Sequence, residues 1–367
     1  MNNEIIILGI ESSCDDTSAA VLRNTTLLSS VIASQAVHER YGGVIPELAS
    51  RAHQQNIVPV VDAALRDAGI TPDKIDAIAF TRGPGLLGSL MVGTSFAKGL
   101  AIANNIPLVE VNHLHGHILS HFVDMPDKEC EHPNFPFLCL LVSGGHTQIV
   151  KVNSPFDMEI VGSTIDDAAG EAFDKVAKML GLGYPGGPLI EKMAELGNEN
   201  RFVLPKPLYN SPDCNLSFSG LKTAVRKIIE SYSNDGSIEH AILPKQDIAD
   251  ICASFQKAAT ECLLHKLKKA TQIFKQNNPD GKHIVVAGGV AANTYLRSKL
   301  EQLAKSENLI FAAPPIKFCT DNGVMIAWAG VERAQKGLFN KLDFKPRPRW
   351  PLDETAPKAA GAGGVKA

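Results

Sequence analysis

Seven cysteines are scattered over 367 residues with no CxxC pair, and their number is odd. That usage fits a reduced, cytosolic protein better than a disulfide framework. No stretch reaches the roughly 18 uninterrupted apolar residues of a membrane span. Met1-Asn2-Asn3-Glu4 lacks the basic opening of a secretion signal, so a cytoplasmic protein with no membrane partner is expected. Charge is lean as well: 20% of the residues, 36 basic against 39 acidic, for a net of −3. A free-standing nucleic-acid binder of the strongly basic kind is thereby excluded. The standard phosphate signatures are missing too, since no GxxxxGK[ST] occurs and no GxGxxG lies between a strand and a helix.

What is present is an α/β alternation. Glu4–Ile10 and Thr17–Leu22 are apolar runs joined by the polar turn Ser12-Ser13-Cys14-Asp15-Asp16, which predicts strand, tight loop, strand. Phe137–Val142, Ser143-Gly144-Gly145 and His146–Val152 repeat that pattern and suggest two related halves. Further strands are expected at Ile75–Phe80 and Ile284–Ala287. Helices are expected at Pro46–Ala68, Ser89–Ala103, Asp166–Leu180, Gly187–Leu196, Ser217–Ser231, Gln246–Gln276, from about Asn293, and near Asp321. The pattern predicts two α/β lobes, 1–130 and 131–350, with the last helix (about 321–337) packing back on the first. The Ala/Gly-rich segment 355–367 is expected to be a disordered tail.

Six of the eleven histidines lie between positions 113 and 146, densest in His113-Leu114-His115-Gly116-His117. Residues four apart on a helix differ by about 40° around its axis, so His113 and His117 share a face and His115 does not. Two imidazoles on one face can hold a transition metal, or form an ordinary polar turn. A zinc peptidase needs His-Glu-x-x-His, and Leu114 stands where that general base would be. The third ligand candidate is Asp321, which with Thr320 competes for a plainer role as helix N-cap.

Glycine-rich turns at Gly83–Gly88, Ser143–Gly145, Gly181–Gly187 and Gly288–Gly289 could each be ordinary, yet together they favour backbone N–H groups approaching phosphate. Carboxylates gather at Glu11, Asp15 and Asp16, and at Asp166, Asp167, Glu171 and Asp174 on one expected helix. Between Val331 and Trp350, six cations face only Glu332 and Asp343, a local surplus of four that suits phosphate-backbone contact or a solvated surface.

Several of these segments form an ordered set: Gly9-Ile10-Glu11-Ser12-Ser13-Cys14-Asp15-Asp16-Thr17, the histidine dyad, Leu141-Val142-Ser143-Gly144-Gly145-His146-Thr147 and Asp166–Lys175. Tyr184-Pro185-Gly186-Gly187-Pro188, Gly288–Asn293, Thr320-Asp321-Asn322 and Arg347–Leu352 follow. From about residue 5 to 353 the chain resembles the TsaD family, bacterial type, once taken for O-sialoglycoprotein endopeptidases. The resemblance implies an actin/Hsp70/sugar-kinase-like (ASKHA) fold of two α/β lobes with a nucleotide cleft. It implies transfer of a threonylcarbamoyl group from threonylcarbamoyl-AMP to N6 of adenosine 37 in tRNAs reading codons that begin with A. His113, His117 and Asp321 match the family's metal ligands, for one divalent ion, Fe(2+) or alternatively Zn(2+). Leu141, Val142, Ser143, Gly144, Gly145, Asp174, Gly187 and Asn293 match its substrate contacts. Two positions depart: Leu141 replaces an archaeal Tyr, and Glu191 stands where many bacterial members have Asp. Glu11 and Asp15 are the candidates for removing the N6 proton. Implied partners are tRNA, a TsaB-type paralogue in a heterodimer, and a TsaE-type P-loop ATPase. The competing readings are an ASKHA-type ATPase or small-molecule kinase, a metallopeptidase, and a non-catalytic scaffold.

Overall fold

The computed structural model describes residues 4–35, 38, 41–125 and 132–356. Cys130 and the expected tail beyond 356 lie outside the described residues, while Thr355 is still tied to the Asp353 carboxylate through its N–H and hydroxyl.

Among the described residues, ten strands form two sheets. β1 (Ile6–Glu11), β2 (Thr17–Arg23), β3 (Thr26–Ala33), β4 (Ala77–Gly83) and β5 (Leu108–Asn112) are ordered β3-β2-β1-β4-β5. β6 (Phe137–Val142), β7 (Thr147–Ser154), β8 (Asp157–Ser163), β9 (His283–Ala287) and β10 (Ile310–Ala312) are ordered β10-β9-β6-β7-β8. In each sheet the first strand is central, the next two meander antiparallel on one side, and the last two add parallel on the other. The two halves therefore share one topology, and the paired lobes are those of the ASKHA fold.

The helices, in chain order, are α1 (Pro46–Ala68), α2 (Leu87–Asn104), α3 (His113–Leu119), α4 (Ala169–Met179), α5 (Gly186–Ala194), α6 (Ser219–Glu230), α7 (Lys245–Asn277), α8 (Thr294–Ser306) and α9 (Gly323–Gln335). Alternate side chains of a strand point to opposite faces, so a strand covered on both sides must be apolar throughout. In β1, Leu8 and Ile10 pack with α1 residues Ile57, Val60 and Val61, while Ile7 faces the other way into the cluster holding α9. In β6, Leu138, Leu140 and Val142 pack with α4 and α7, whereas Phe137, Cys139 and Leu141 join that same α9 cluster.

α9 and α3 thus form a middle layer between the sheets. A helix buried on every side must be apolar on every side, and Val324, Met325, Ile326 and Ala327 are all fully buried. The contact with β1 is backbone to backbone. A Cβ on Gly9 would lie 2.4 Å from the Ala327 nitrogen and 2.5 Å from the Gly323 carbonyl oxygen, so no side chain fits there.

The segment after α9 runs as a strap across the first sheet. Phe344 stacks on Phe80 at 4.8 Å between ring centroids, and Lys98 donates to the Phe344 carbonyl. Leu352 is buried, and Asp353 accepts the Ile160 N–H from β8, so the strap touches both lobes. Gly9→Ala is expected to cost about 1–3 kcal/mol through overpacking, read as a lower urea midpoint with an unchanged slope.

Candidate active site

β5 runs directly into α3. Asn112 ends the strand, and its side chain caps the helix by accepting the Leu114 N–H at 2.9 Å. His113 is therefore the first residue of α3 and His117 lies one turn on, both buried. Leu114 is core, so the position a peptidase would need for its base is closed off from any substrate. His115 points away, its Nε2 3.4 Å from the Leu352 carbonyl, and burial pushes its pKa down to about 4.

Asp321 arrives from the far end of the chain. Neither it nor Thr320 caps α9: Asn322 does, accepting the Met325 N–H at 2.9 Å. Asp321 is left free to meet the histidines, with Oδ1 3.1 Å from His117 Nε2 and 3.5 Å from His113 Nε2. One donor atom from each of the three residues lies within 4.8 Å of the others.

Behind His113 stands Glu11, fully buried at the end of β1. Its Oε2 lies 3.1 Å from His113 Nδ1 and accepts the Thr81 hydroxyl at 2.6 Å, while Oε1 accepts the Ser13 N–H at 2.5 Å. Ser13 Oγ is also 3.1 Å from His113 Nδ1. Burial alone would depress the His113 pKa, but the Asp321 and Glu11 carboxylates outweigh it and hold it at about 9. Burial works against both carboxylates as well, and His113 nevertheless keeps Glu11 and Asp321 ionised, well into the acid range for Asp321. The cluster is built around positive charge. Asp15 and Asp16 follow on the same loop, both raised by burial, Asp16 to about 7.

The turn after β6 has the opposite character. Ser143 closes it by donating its N–H to the His146 carbonyl at 2.8 Å. Among the described residues no hydrogen bond engages the N–H of Gly144 or Gly145. A Cβ on Gly144, Gly145, Gly187 or Gly289 would meet nothing within 4 Å, and none of the four has a left-handed φ. Neither packing nor conformation requires glycine there, so the missing side chains leave room for something outside the chain. The turn at Gly83–Gly88 differs: a Cβ on Gly83 would lie 1.8 Å from the Arg347 carbonyl, and on Gly85 2.4 Å from that of Ser13. The chain itself fills that turn, which corrects its expected role as a phosphate turn.

α4 begins only at Ala169, so the expected placing of Asp166 and Asp167 on one helix with Glu171 and Asp174 is also corrected. Asp166 precedes it and accepts the N–H groups of Phe218 and Ser219, capping α6 from outside because Phe218 cannot. Asp167 pairs with Lys175 and Lys222, each at 2.8 Å. Asp174 holds the Gly186 N–H at 2.8 Å, and burial raises its pKa with help from Asp15 across the cleft. Leu141 and Val142 are fully buried in β6 and contribute no side chain to the opening. Asn293 caps α8 through its Oδ1, and Glu191 accepts the N–H and hydroxyl of Thr294. In the basic stretch, Arg333 turns toward Glu110 and Arg347 pairs with Glu354, which leaves Lys336, Lys341, Lys345 and Arg349 exposed.

The family model described as TsaD, tRNA N6-adenosine threonylcarbamoyltransferase, matches residues 26–328. The chain belongs to that family. It is 53% identical over 349 residues to the tRNA N6-adenosine threonylcarbamoyltransferase of Porphyromonas gingivalis, covering 95% of this chain and 99% of the relative. It is 50% identical over 368 residues to that of Rhodospirillum rubrum, with 98% of each covered. Among solved structures, HypF of T. kodakarensis is similar in fold, with a TM-score of 0.55 at 14% identity over 91% of this chain and 48% of that one. The TsaD-family chain is accordingly an enzyme, a transferase that modifies tRNA at adenosine N6. No helix among its described residues is long and apolar enough to cross a membrane.

Sequence reasoning missed Thr81 and Ser13, which fix Glu11. Their signal is position alone, since both lie just past or near the carboxyl ends of central parallel strands. It also missed Asp167 as a tie: Lys175 and Lys222 outweigh burial and hold its pKa at about 2. A depressed carboxylate stabilises the fold above its unfolded pKa, and that contribution is lost as pH falls through the folded value. Asp167→Asn should therefore cost about 2 kcal/mol at neutral pH, with the difference from the parent vanishing between about pH 4 and 2 in chemical-denaturation titrations.

Proposed function

We propose that the chain transfers the threonylcarbamoyl group of threonylcarbamoyl-AMP to N6 of adenosine 37 in tRNAs reading codons that begin with A, and releases AMP. The observation that carries this reading is the meeting of two unlike half-sites. A His113–His117–Asp321 cluster built around positive charge lies on one lobe, and a glycine turn with open N–H groups lies on the other.

The donor set of two imidazoles and one carboxylate suits a divalent ion with open positions, iron(II) first and zinc as the alternative. Such an ion supplies Lewis-acid polarisation of the acyl carbonyl when bound. Glu11 is enclosed and turned to His113 Nδ1, so it acts by fixing the ring with Nε2 toward Asp321. The Gly144 and Gly145 N–H groups hold the adenylate phosphate, and Gly187, Asp174 and Glu191 flank the ribose. The N6–carbon bond forms, the bond between the carbamoyl carbon and the phosphate oxygen breaks, and AMP leaves with the electron pair. The N6 proton goes to Asp15, whose burial raises its basicity. Aromatic amines are weak nucleophiles, so positioning supplies much of the rate.

Lys336, Lys341, Lys345 and Arg349 are the cations available to the tRNA backbone. A TsaB-type paralogue as heterodimer partner and a TsaE-type ATPase belong to the same proposal, supported by the family resemblance. A kinase or ATPase reading leaves the His113–His117–Asp321 cluster without a task.

The test is reconstitution with threonine, bicarbonate, ATP, an adenylate synthase and unmodified tRNA, with and without the partners. Nucleoside mass spectrometry should find threonylcarbamoyladenosine, and its absence from every combination would overturn the reading. His113→Ala should abolish both metal content and transfer. Glu11→Gln should keep the fold and weaken metal affinity about 10- to 100-fold in chelator competition.

A further inference from the structure

A cavity of about 270 Å³ opens between α5, α7 and the start of α8, with Glu191, Glu195 and Glu199 on its walls, Gln256 at its floor and Tyr295 at its side. Three carboxylates repel a phosphate, so an adenylate that enters here enters base first and leaves its phosphate toward the glycine turn. This inference rests on the adenylate reading above.

The floor has a defined polarity. The Leu296 N–H donates to Asn293 Oδ1 at 2.8 Å, which fixes the Asn293 amide and leaves its Nδ2 as the donor. That Nδ2 donates to Gln256 Oε1 at 2.8 Å, which fixes the second amide in turn. Gln256 is only 5% exposed, and no hydrogen bond among the described residues engages its Nε2. A backbone N–H therefore sets, two side chains away, which end of Gln256 faces the cavity: the donor. Tyr295 is held as a wall by donating its hydroxyl to Glu199 at 2.9 Å.

We propose that Gln256 determines base specificity, reading an adenine by its Watson–Crick edge. Its Nε2 donates to ring N1, and the exocyclic 6-amino group donates to a wall carboxylate. Guanine inverts both groups. Its N1–H meets the Gln256 donor, its O6 meets a carboxylate, and a buried donor is left unpaired. Asn293 then acts through Gln256 as a positioning residue and caps α8 at the same time.

Isothermal titration of the purified full chain with AMP, GMP and purine riboside 5′-monophosphate tests this. The parent should bind AMP at least tenfold more tightly than GMP, with the riboside, which lacks the 6-amino group, in between. Gln256→Glu keeps the acceptor for Asn293 and replaces the donor. It should narrow the AMP-to-GMP ratio at least fivefold with an unchanged melting temperature, whereas added negative charge alone would weaken both ligands equally. A parent that binds GMP as well as AMP, or a variant with an unaltered ratio, would overturn the role of Gln256 and leave the adenylate reading standing. A parent that binds no AMP while still bound to its metal would overturn both.

Discussion

The approach of α9 to β1 at Gly9 is the constraint on which the rest of the structure depends. It sets the depth at which the middle layer lies between the sheets, because the two backbones touch with no side chain between them. Asp321 stands two residues before α9, and the pair of histidines lies on α3, which packs against α9 in the same layer. A ligand drawn from residue 321 can meet residues 113 and 117 within hydrogen-bond range only if that layer is rigid. The apolar circumference of α9 provides the rigidity, since burial on all sides removes any direction in which the helix could rock without opening a void.

Duplication explains where the site sits, and divergence explains what each half does. The loop after β1 and the turn after β6 occupy the same place in two sheets of identical order, at the carboxyl ends of the central strands where such folds bind ligands. Their chemistry is opposite. The first carries buried carboxylates and orients an imidazole, so it favours a cation and a departing proton. At Gly144 and Gly145 the second offers N–H groups that no hydrogen bond among the described residues engages, with no side chain over them, so it favours an anion. An acyl phosphate anhydride has both demands, with electron density to be drawn from its carbonyl and negative charge to be received on its phosphate.

Much of this was legible in the sequence where one local signal decided the outcome. Pro46 and Gly69 bracket α1 at its observed ends, and β6 is the expected apolar run Phe137–Val142. The i, i+4 spacing of His113 and His117 gave one shared face, with His115 off it, as observed. The short strands β5 and β10 escaped because their runs are brief and become strands only by pairing with a longer neighbour. Asp167, Glu171 and Asp174 are spaced as on a helix, and the pattern starts that helix at Asp166, yet tertiary partners claim the carboxylates of Asp166 and Asp167 before α4 begins at Ala169. Sequence spacing likewise cannot tell a glycine turn left open for a ligand from one filled by the chain. Gly144 and Gly83 look alike until the Arg347 carbonyl is placed against the second.

The lean charge has a structural consequence for tRNA binding. Two cations of the basic stretch are matched within the chain: Arg333 on α9 joins Arg82 at Glu110 of β5, and Arg347 pairs with Glu354 inside the strap. Both charges are already met by a carboxylate, and the strap itself is tied to the first sheet by Arg82, which donates to the Lys345 carbonyl and accepts the Arg347 N–H at its own carbonyl. The four exposed cations that remain, taken as the proposed tRNA contact, can neutralise about four phosphates. Affinity from this stretch alone is then modest. For an enzyme that releases each tRNA after one transfer, weak holding by the backbone is compatible with turnover, and selection of the nucleoside falls to the cleft.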